Sequence, residues 1–481
     1  MDKNFKKKFL KSSAATALGQ GSSILFHFAS IMILTRVLPK ADFGIYALIL
    51  VINNLFLILS GLGLDVTLVK FISSGNEEAR RSVFTKILLM KFLSLSFFVI
   101  LFLLAGNLFL PWLDTRITDY LLFIPILFFL GSFRDLFFKV LQGLNYFKKF
   151  AITQIISAIS RLLLIVYFYL QGNINLDSMI LIEILTVIIV LLTEFIFVPF
   201  GSLFNIKADT IKLKEIINFA LPIYFNNLFG FMYSRVNMVI IGVLLNPISV
   251  AYYHVGAKIP QALKKMFDSF ILVFFPNLSN LFSEGKKSSG EELINKSLNI
   301  ISMFFAIVIL VSFLFRNEII ILIFSEKYVE SSLVFSLLIL NLTFITFANI
   351  LGYSNLSAGY PKVPMKVNII VSIISLGGSL LMIPEFGYIG GAYSLIITNV
   401  IAQALYLFYL RRINIIVNVL RYTKPIILLF ISIGFYSLLN SDSVSTRLVT
   451  ILIFLTLNWF FVTDFKTFLI SIVKMIPKFK L

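Results

Sequence analysis

The sequence predicts an all-helical membrane protein that crosses the bilayer about fourteen times. Of its 481 residues, 59% are hydrophobic and only 13% are charged, whereas soluble domains are close to half apolar and a quarter charged. The apolar residues form long runs, such as 180–200, 300–315 and 332–350, and about 20 apolar residues are enough to span the hydrocarbon core as a helix. The runs lack the period-two alternation of a transmembrane barrel.

Fourteen spans can be placed, and the connections between them are too short to hold a soluble catalytic domain. The predicted spans are 13–35, 43–64, 83–106, 117–142, 151–171, 177–200, 214–245, 248–282, 293–315, 331–357, 364–383, 387–410, 425–440 and 446–465.

The distribution of lysine and arginine gives the orientation. With the N-terminus inside, and with residues within three positions of a span end counted with the adjoining loop, 28 of the 41 Lys and Arg residues fall in inner segments, six fall in outer segments and seven lie within spans. This is the bias that the positive-inside rule describes. We therefore expect a protein of the cytoplasmic (inner) membrane with both termini in the cytoplasm. The same bias explains the net charge of +18 without a nucleic-acid partner.

A weak internal repeat divides the chain. Residues 36–46 and 242–252 align without a gap at an offset of 206 and share a valine, a leucine and a tyrosine. The alignment predicts two six-helix halves, 1–206 and 207–412, followed by an additional helix pair and a tail, 413–481. An even number of spans in each half makes this a parallel repeat, an arrangement in which transporters place a site between the halves.

Two cations in the predicted membrane interior mark the main candidate site. Arg235 and Lys258 each lie 11 residues from the turn at 246–247, which places both about 16 Å deep. Like charges at one depth require water or an anion, and Arg and Lys both bind phosphate oxygens. We expect a cationic, water-filled cavity that binds a pyrophosphate or a similar head group.

Further polar side chains recur at helical spacing and are assigned to the same cavity. They could instead be interhelical hydrogen-bonding contacts, and Lys265 could equally extend to the inner surface. The additional candidates are Gln20, His27, Arg161, Asn227, Asn237, Gln261 and Lys265. A stripe of Asn368, Ser372, Ser375 and Ser379 presents the same two alternatives.

Three carboxylates are candidates for ion coupling. Glu183, Glu194 and Asp268 lie within predicted spans, where carboxylates often carry protons or cations. Glu183 and Glu194 could equally pair with Arg161 or Arg134. Arg134 and the adjacent Asp135 are expected to form an internal ion pair. The sequence leaves the choice between proton and sodium coupling open.

Several chemistries are excluded by composition. The chain has no cysteine and two histidines, so no thiolate, haem or zinc cluster is expected. No catalytic residue, phosphate-binding glycine loop or metal site can be recognised. We expect no cofactor and no enzymatic activity.

Three short motifs resemble the polysaccharide transporter family of the multidrug/oligosaccharidyl-lipid/polysaccharide exporter superfamily, which includes the O-antigen flippases. They are RVLP with DFGIY at 36–46, GLG at 61–63 and PEFGYIGGA at 384–392. The match in length, span number and repeat covers nearly the whole chain. The resemblance implies a cationic lumen between two halves, but it identifies no substrate residue that can be carried over.

The resulting hypothesis is a flippase for a polyprenyl-diphosphate-linked oligosaccharide, such as an O-antigen unit of lipopolysaccharide, that works by alternating access. Its expected partners are that glycan lipid and the membrane, with other polysaccharide-assembly membrane proteins possible and a monomer sufficient. A multidrug exporter of the same superfamily is the alternative, although carboxylates would then be expected to dominate the cavity. A membrane polysaccharide polymerase or ligase is disfavoured because the outer loops are short.

Overall fold

The computed structural model describes residues 3–74, 76–204, 210–439, 443–462 and 464–475. Within these ranges, side chains are described from residue 19 to residue 470, except those of residues 74, 266 and 272.

The described chain is almost entirely helical. The α-helices are α1 (Lys3–Val37), α2 (Lys40–Gly61), α3 (Leu64–Ser74), α4 (Glu77–Phe109), α5 (Phe123–Gly143), α6 (Phe147–Leu170), α7 (Leu176–Phe197), α8 (Phe200–Leu203), α9 (Leu213–Leu244), α10 (Pro247–Ser283), α11 (Lys287–Leu314), α12 (Arg316–Ile323), α13 (Ser331–Ser357), α14 (Lys362–Phe386), α15 (Gly390–Arg412), α16 (Val419–Leu438), α17 (Val444–Phe461) and α18 (Phe465–Met475). Short 3-10 helices cover Leu110–Trp112, Thr115–Tyr120, Glu326–Tyr328 and Gly387–Ile389.

Fourteen of the helices in the described ranges are long, and this agrees with the fourteen predicted spans. Ten described segments are long and apolar enough to cross a membrane, and one of them, Lys362–Arg412, contains both α14 and α15. The other three long helices, α1, α5 and α10, carry more polar or charged residues. The predicted fold class, an all-helical polytopic membrane protein, is confirmed. Helices α3, α8, α12 and α18 are short additions that the span pattern did not predict.

Local sequence explains where the helices begin. The side chain of Asn76 accepts a hydrogen bond from the Ala79 amide at the start of α4. At the start of α7, Asn175 and Ser178 form a reciprocal capping box. Asparagine at these positions satisfies amide groups that lack partners in the first helical turn. The capping residues therefore explain why α4 and α7 begin where they do.

The chain divides into two compact units. Unit 1 comprises residues 1–254 with 323–327, and unit 2 comprises 255–322 with 328–481. The division falls inside α10, whereas the repeat predicted halves that meet near residue 206. Helix α9 belongs to unit 1 because it packs against α2 and α3. The repeat itself stays a prediction.

Unit 1 is held together by two close backbone contacts and a large apolar cluster. A Cβ atom on Gly44 would lie 1.8 Å from the Pro247 carbonyl oxygen, and one on Gly63 would lie 2.4 Å from the Ala220 carbonyl oxygen. Gly63 also has a positive φ of 71°, which favours glycine. The cluster joins α3, α4 and α5 to α9 through residues that include Leu68, Phe84, Leu136, Val140 and Ile216.

In unit 2, α15 packs closely against α13 and α14, while α11 contacts α13 and α16. The α14–α15 contact is lined by small polar residues. The Ser379 and Ser394 hydroxyl oxygens are 3.1 Å apart, and Ser394 also donates to the Ser375 carbonyl at 3.1 Å. Small residues allow membrane helices to approach closely. The predicted serine stripe is therefore an interhelical contact, which was one of its two alternatives.

Three basic side chains near the predicted inner side donate hydrogen bonds to carbonyl groups between the end of α7 and the start of α9. Arg81 donates to the Ser202 carbonyl at 2.9 Å, Lys86 donates to the Ile211 carbonyl at 2.5 Å and Lys149 donates to the Phe197 carbonyl at 3.0 Å. These bonds satisfy carbonyl groups near the end of α7 and before α9, where no helix partner exists. The three cations thus bind the last residue of α7, a residue of α8 and a residue just before α9.

Candidate functional site

Arg235 is a partly buried cation in the C-terminal half of α9. Its neighbour Ser234 is exposed and donates to the Gly230 carbonyl of its own helix at 2.7 Å. The buried Tyr253 hydroxyl lies within electrostatic range of the Arg235 guanidinium, and it accepts a hydrogen bond from Asn237 at 3.4 Å. Among the described residues, no carboxylate lies within salt-bridge distance of Arg235. The Arg235 charge is therefore not balanced by a described acidic side chain.

The candidate residues of α10 lie along the part of this helix that belongs to unit 2. Lys258 and Gln261 are partly buried, and Lys265 is exposed. Asp268 accepts hydrogen bonds from Lys264 one turn earlier, and both of its oxygens lie 3.1 Å from the Lys264 amine. Pro260 lies inside the helix. The carboxylate predicted for ion coupling is therefore an exposed member of an i,i+4 ion pair.

Arg161, Glu183 and Tyr46 form a compact buried network in unit 1. The Arg161 Nε atom donates to Glu183 Oε1 at 2.8 Å, and its Nη2 atom donates to the Tyr46 hydroxyl oxygen at 2.6 Å. The Tyr46 hydroxyl in turn donates to the same Glu183 oxygen at 2.5 Å. His27 of α1 lies within electrostatic range of the Glu183 carboxylate. Four helices, α1, α2, α6 and α7, thus meet at one satisfied charge pair.

This network lies in one half of the predicted membrane. Tyr46, Arg161 and Glu183 are six, nine and seven residues from the ends of their helices that face the predicted outer side, which corresponds to roughly 10 Å of depth. The sequence left pairing of Glu183 with Arg161 as one of two alternatives, and the structure shows this pair, with His27 within electrostatic range of it. Tyr46 was missed because a tyrosine in an apolar helix carries no distinguishing signal.

A second group of charged side chains in unit 1 lies in the opposite half of the predicted membrane. Lys91 of α4 is fully buried and contacts Asp65 of α3. Arg134 donates to Asp135 through Nε at 3.0 Å and Nη2 at 2.8 Å, so the ion pair expected between these adjacent residues is present. Nearby on α5, Lys139 donates to Gln142 at 2.9 Å. Sequence reasoning missed the Asp65–Lys91 pair because the short helix α3 was not predicted.

Glu194 of α7 differs from the other carboxylates. Its side chain is 0% exposed, and neither of its oxygen atoms has a hydrogen-bond partner among the described residues. It lies within electrostatic range of Arg134, although the Arg134 guanidinium is bound to Asp135. The alternative that Glu194 pairs directly with Arg134 is therefore not observed.

The remaining candidate residues differ in how exposed their side chains are. Gln20 of α1 and Asn227 of α9 are exposed, whereas Asn237 is buried. The structure thus gathers the candidates into an Arg235 region, the α10 residues and the Arg161 network. It leaves Gln20 and Asn227 without a shared partner in these groups.

Together, these features define a multi-pass membrane protein whose spans carry several charged side chains. The family model described as polysaccharide biosynthesis protein matches residues 9–282. The chain belongs to this polysaccharide biosynthesis family, and the resemblance inferred from its motifs is confirmed.

Two relatives place the chain in a broader setting. It is 25% identical over 215 residues to the capsular polysaccharide biosynthesis protein CapF of Staphylococcus aureus, a match that covers 44% of this chain and 54% of that protein. It is 21% identical over 212 residues to the probable low-salt glycan biosynthesis flippase Agl15 of Haloferax volcanii, covering 43% of this chain and 44% of that protein. The matched region thus spans only about half of each relative.

Solved transporter structures share the fold. The lipid II flippase MurJ in an inward closed conformation matches with a TM-score of 0.69 at 16% identity, covering 95% of this chain and 98% of that one. An inward-facing multidrug resistance transporter of the MATE family matches with a TM-score of 0.65 at 14% identity, covering 81% and 94%. At these identities the likeness concerns the fold alone.

Proposed function

We propose that this protein is a flippase that translocates a polyprenyl-diphosphate-linked oligosaccharide across the cytoplasmic membrane by alternating access. Membership of the polysaccharide biosynthesis family and the fold of a lipid-linked glycan flippase support this proposal. A sugar diphosphate cannot cross hydrocarbon unaided, because burying unpaired polar and charged groups is very costly. A protein passage with its own polar lining removes that cost.

The observation that carries the proposal concerns the surroundings of the Arg235 side chain. Arg235 lies in the C-terminal half of α9, it is accessible in part, and no described carboxylate neutralises it. A guanidinium in this position matches the bidentate geometry of phosphate oxygens. In the proposed mechanism, Arg235 and Lys258 bind the diphosphate, and the polyprenyl chain remains in lipid. Rocking of one part of the protein against the other then exposes the head group on the opposite side.

The remaining polar candidates have proposed supporting roles. Gln20, Asn227 and Gln261 are exposed or partly buried and would contact the sugars by hydrogen bonds. Arg161 and His27 would instead shape the passage through the Glu183 network. An ion such as a proton or sodium would supply the driving force through one of the membrane carboxylates. The substrate would be an O-antigen, capsule or similar repeat unit.

The test is surface polysaccharide in a deletion strain complemented with single variants. Arg235→Ala is expected to reduce surface polysaccharide by at least about tenfold, since losing a charge-assisted phosphate contact costs roughly 1.5–3 kcal/mol. Ser234→Ala is the matched control, because this neighbouring hydroxyl bonds only to its own helix backbone in the described contacts. Membrane amounts of both variants are measured by immunoblot.

In the Arg235→Ala strain, we expect the lipid-linked oligosaccharide to accumulate in the inner leaflet of the cytoplasmic membrane. Unchanged surface polysaccharide in both Arg235→Ala and Lys258→Ala would remove the site assignment. Increased drug sensitivity of the deletion strain, together with normal polysaccharide, would instead favour a multidrug exporter, which the MATE-like fold permits.

A further inference from the structure

Glu194 is a buried carboxyl group that the translocation pathway does not explain. It lies on α7, one turn before the helix ends at Phe197. Its side chain is completely buried, and both carboxyl oxygens lack a hydrogen bond within the described chain. Buried polar atoms are nearly always paired, so an unpaired carboxyl group requires a physical reason.

Among the described residues, no charged group on the helices packed against α7 forms a hydrogen bond with the Glu194 carboxyl group; Lys139 of α5 donates to Gln142, and Arg161 of α6 binds Glu183. On α5, Arg134 and Asp135 are within electrostatic range, but the Arg134 guanidinium is bound to Asp135. On α6, the Lys149 amine binds the Phe197 carbonyl instead. The charged residues of α2, Lys40 and Asp42, lie in its first turn, at the predicted outer end and away from Glu194.

A metal ion fits this environment poorly. Calcium-like cations require several oxygen ligands. Within the described residues, no group of three or more His, Asp or Glu side chains could hold a metal ion. An ionised, unpaired and buried carboxylate is far less stable than the neutral acid. The neutral acid is therefore the form that this geometry accommodates.

We propose that Glu194 is the proton site of the transport cycle and that it exchanges with Asp135 for the Arg134 guanidinium. In the described state the Glu194 carboxyl group keeps its proton, and Arg134 is bound to Asp135. When Arg134 moves to Glu194, the O–H bond of the acid breaks, the proton passes to water and a new ion pair forms. Asp135, whose side chain is 43% exposed, is then hydrated. This proposal rests on the proposed flippase function for its role in transport.

Infrared spectroscopy of the full-length protein in lipid nanodiscs tests the protonation state without any substrate. The wild-type protein is expected to show the carbonyl stretch of a protonated carboxylic acid at neutral pH, with the usual shift in heavy water. Glu194→Gln should lose this band. Glu183→Gln should keep it, because Glu183 is ion-paired with Arg161. A wild-type protein without the band, or a Glu194→Gln variant that retains it, would overturn the assignment.

A second variant tests the exchange of partners. In Asp135→Asn, the Arg134 guanidinium loses its partner, so Glu194 should ionise and the acid band should disappear at neutral pH. Persistence of the band in this variant contradicts the exchange. If the band responds to added sodium at constant pH, Glu194 binds a metal cation and the proton proposal is wrong.

Transport is measured separately as surface polysaccharide. Glu194→Gln is expected to lose most of it, and Thr193→Ala is the control because, among the described contacts, its hydroxyl bonds only the Ile189 carbonyl of the same helix. Normal polysaccharide in Glu194→Gln would contradict the coupling role. If the protein proved to move no glycan, the infrared result would still stand by itself, which keeps the two proposals distinguishable.

Discussion

The Arg161–Glu183–Tyr46 network shows how single charges are tolerated within a span. Both charged side chains are mostly buried, with 10% and 16% of their surface exposed. Breaking such a pair by removing one partner leaves an uncompensated buried charge, at a cost of about 3–5 kcal/mol. Replacing both partners with apolar residues of similar size is often close to neutral. We therefore expect the effects of the two single substitutions on the free energy of unfolding to be strongly non-additive.

We expect Arg161→Leu to lower the melting temperature of the detergent-solubilised protein clearly, and Glu183→Leu to do the same. The double variant should recover much of the loss. Thermal unfolding followed by fluorescence measures this cycle. Arg235→Leu serves as the comparison, since Arg235 has no described salt bridge and should show little destabilisation. Additive losses in the double variant would contradict a directly coupled pair.

At the level of helices, the glycines in the motifs that carry the family resemblance are explained by close packing of the backbone. Gly44 and Gly63 allow backbones to touch in unit 1, and a Cβ on Gly390 would lie 2.1 Å from the Met382 carbonyl oxygen in unit 2. Contacts this short exclude any side chain. The glycines therefore encode the packing of particular helices and carry no information on the sugar that is transported.

Gly44→Ala is accordingly expected to lower folding yield and the melting temperature, because its methyl group meets backbone that cannot rotate away. Gly230→Ala is the matched control in α9, where nothing lies within 4 Å of the added Cβ. Since alanine is the better helix former by about 1 kcal/mol, Gly230→Ala should be neutral or stabilising. Equal behaviour of the two variants would argue against the α2–α10 contact.

At the scale of the whole molecule, the predicted orientation can be tested directly because the chain has no cysteine. Single cysteines are introduced at two exposed loop positions, Asn173→Cys after α6 and Lys287→Cys at the start of α11. A membrane-impermeant maleimide should label Asn173→Cys in intact cells and Lys287→Cys only after permeabilisation. The reverse pattern would invert the proposed topology, and labelling of both in intact cells would contradict the span count.

The sequence predicted the elements well and their partners less well. Runs of apolar residues identify spans because lipid imposes one requirement on every helix, and fourteen long helices follow. Which charges meet is decided by helix rotation and packing, to which a single sequence gives little access. The adjacent pair Arg134 and Asp135 was predictable, since neighbours in sequence are neighbours in space. The network centred on Tyr46 joins helices far apart in the chain and left no local signal.

The candidate site shows the same division. Arg235 was identified because a charge in an apolar segment is conspicuous, and the structure leaves it without a described acidic partner. The ion pair between Asp268 and Lys264 was not predicted, since it depends on side-chain rotamers at i,i+4 spacing. For Glu194, sequence marked the residue, but only the packed helices reveal that its carboxyl group is unpaired.

The basic residues that donate to carbonyl groups between α7 and α9 act at two successive stages. During insertion, Arg81, Lys86 and Lys149 are hydrated cations that help to retain their loops on one side of the membrane. In the finished fold, each is engaged with a carbonyl group. These three cations are thereby held by the folded protein, so we expect a later change in the charge of the lipid surface to affect them less than it affects the exposed inner cations, such as Lys148 and Lys286.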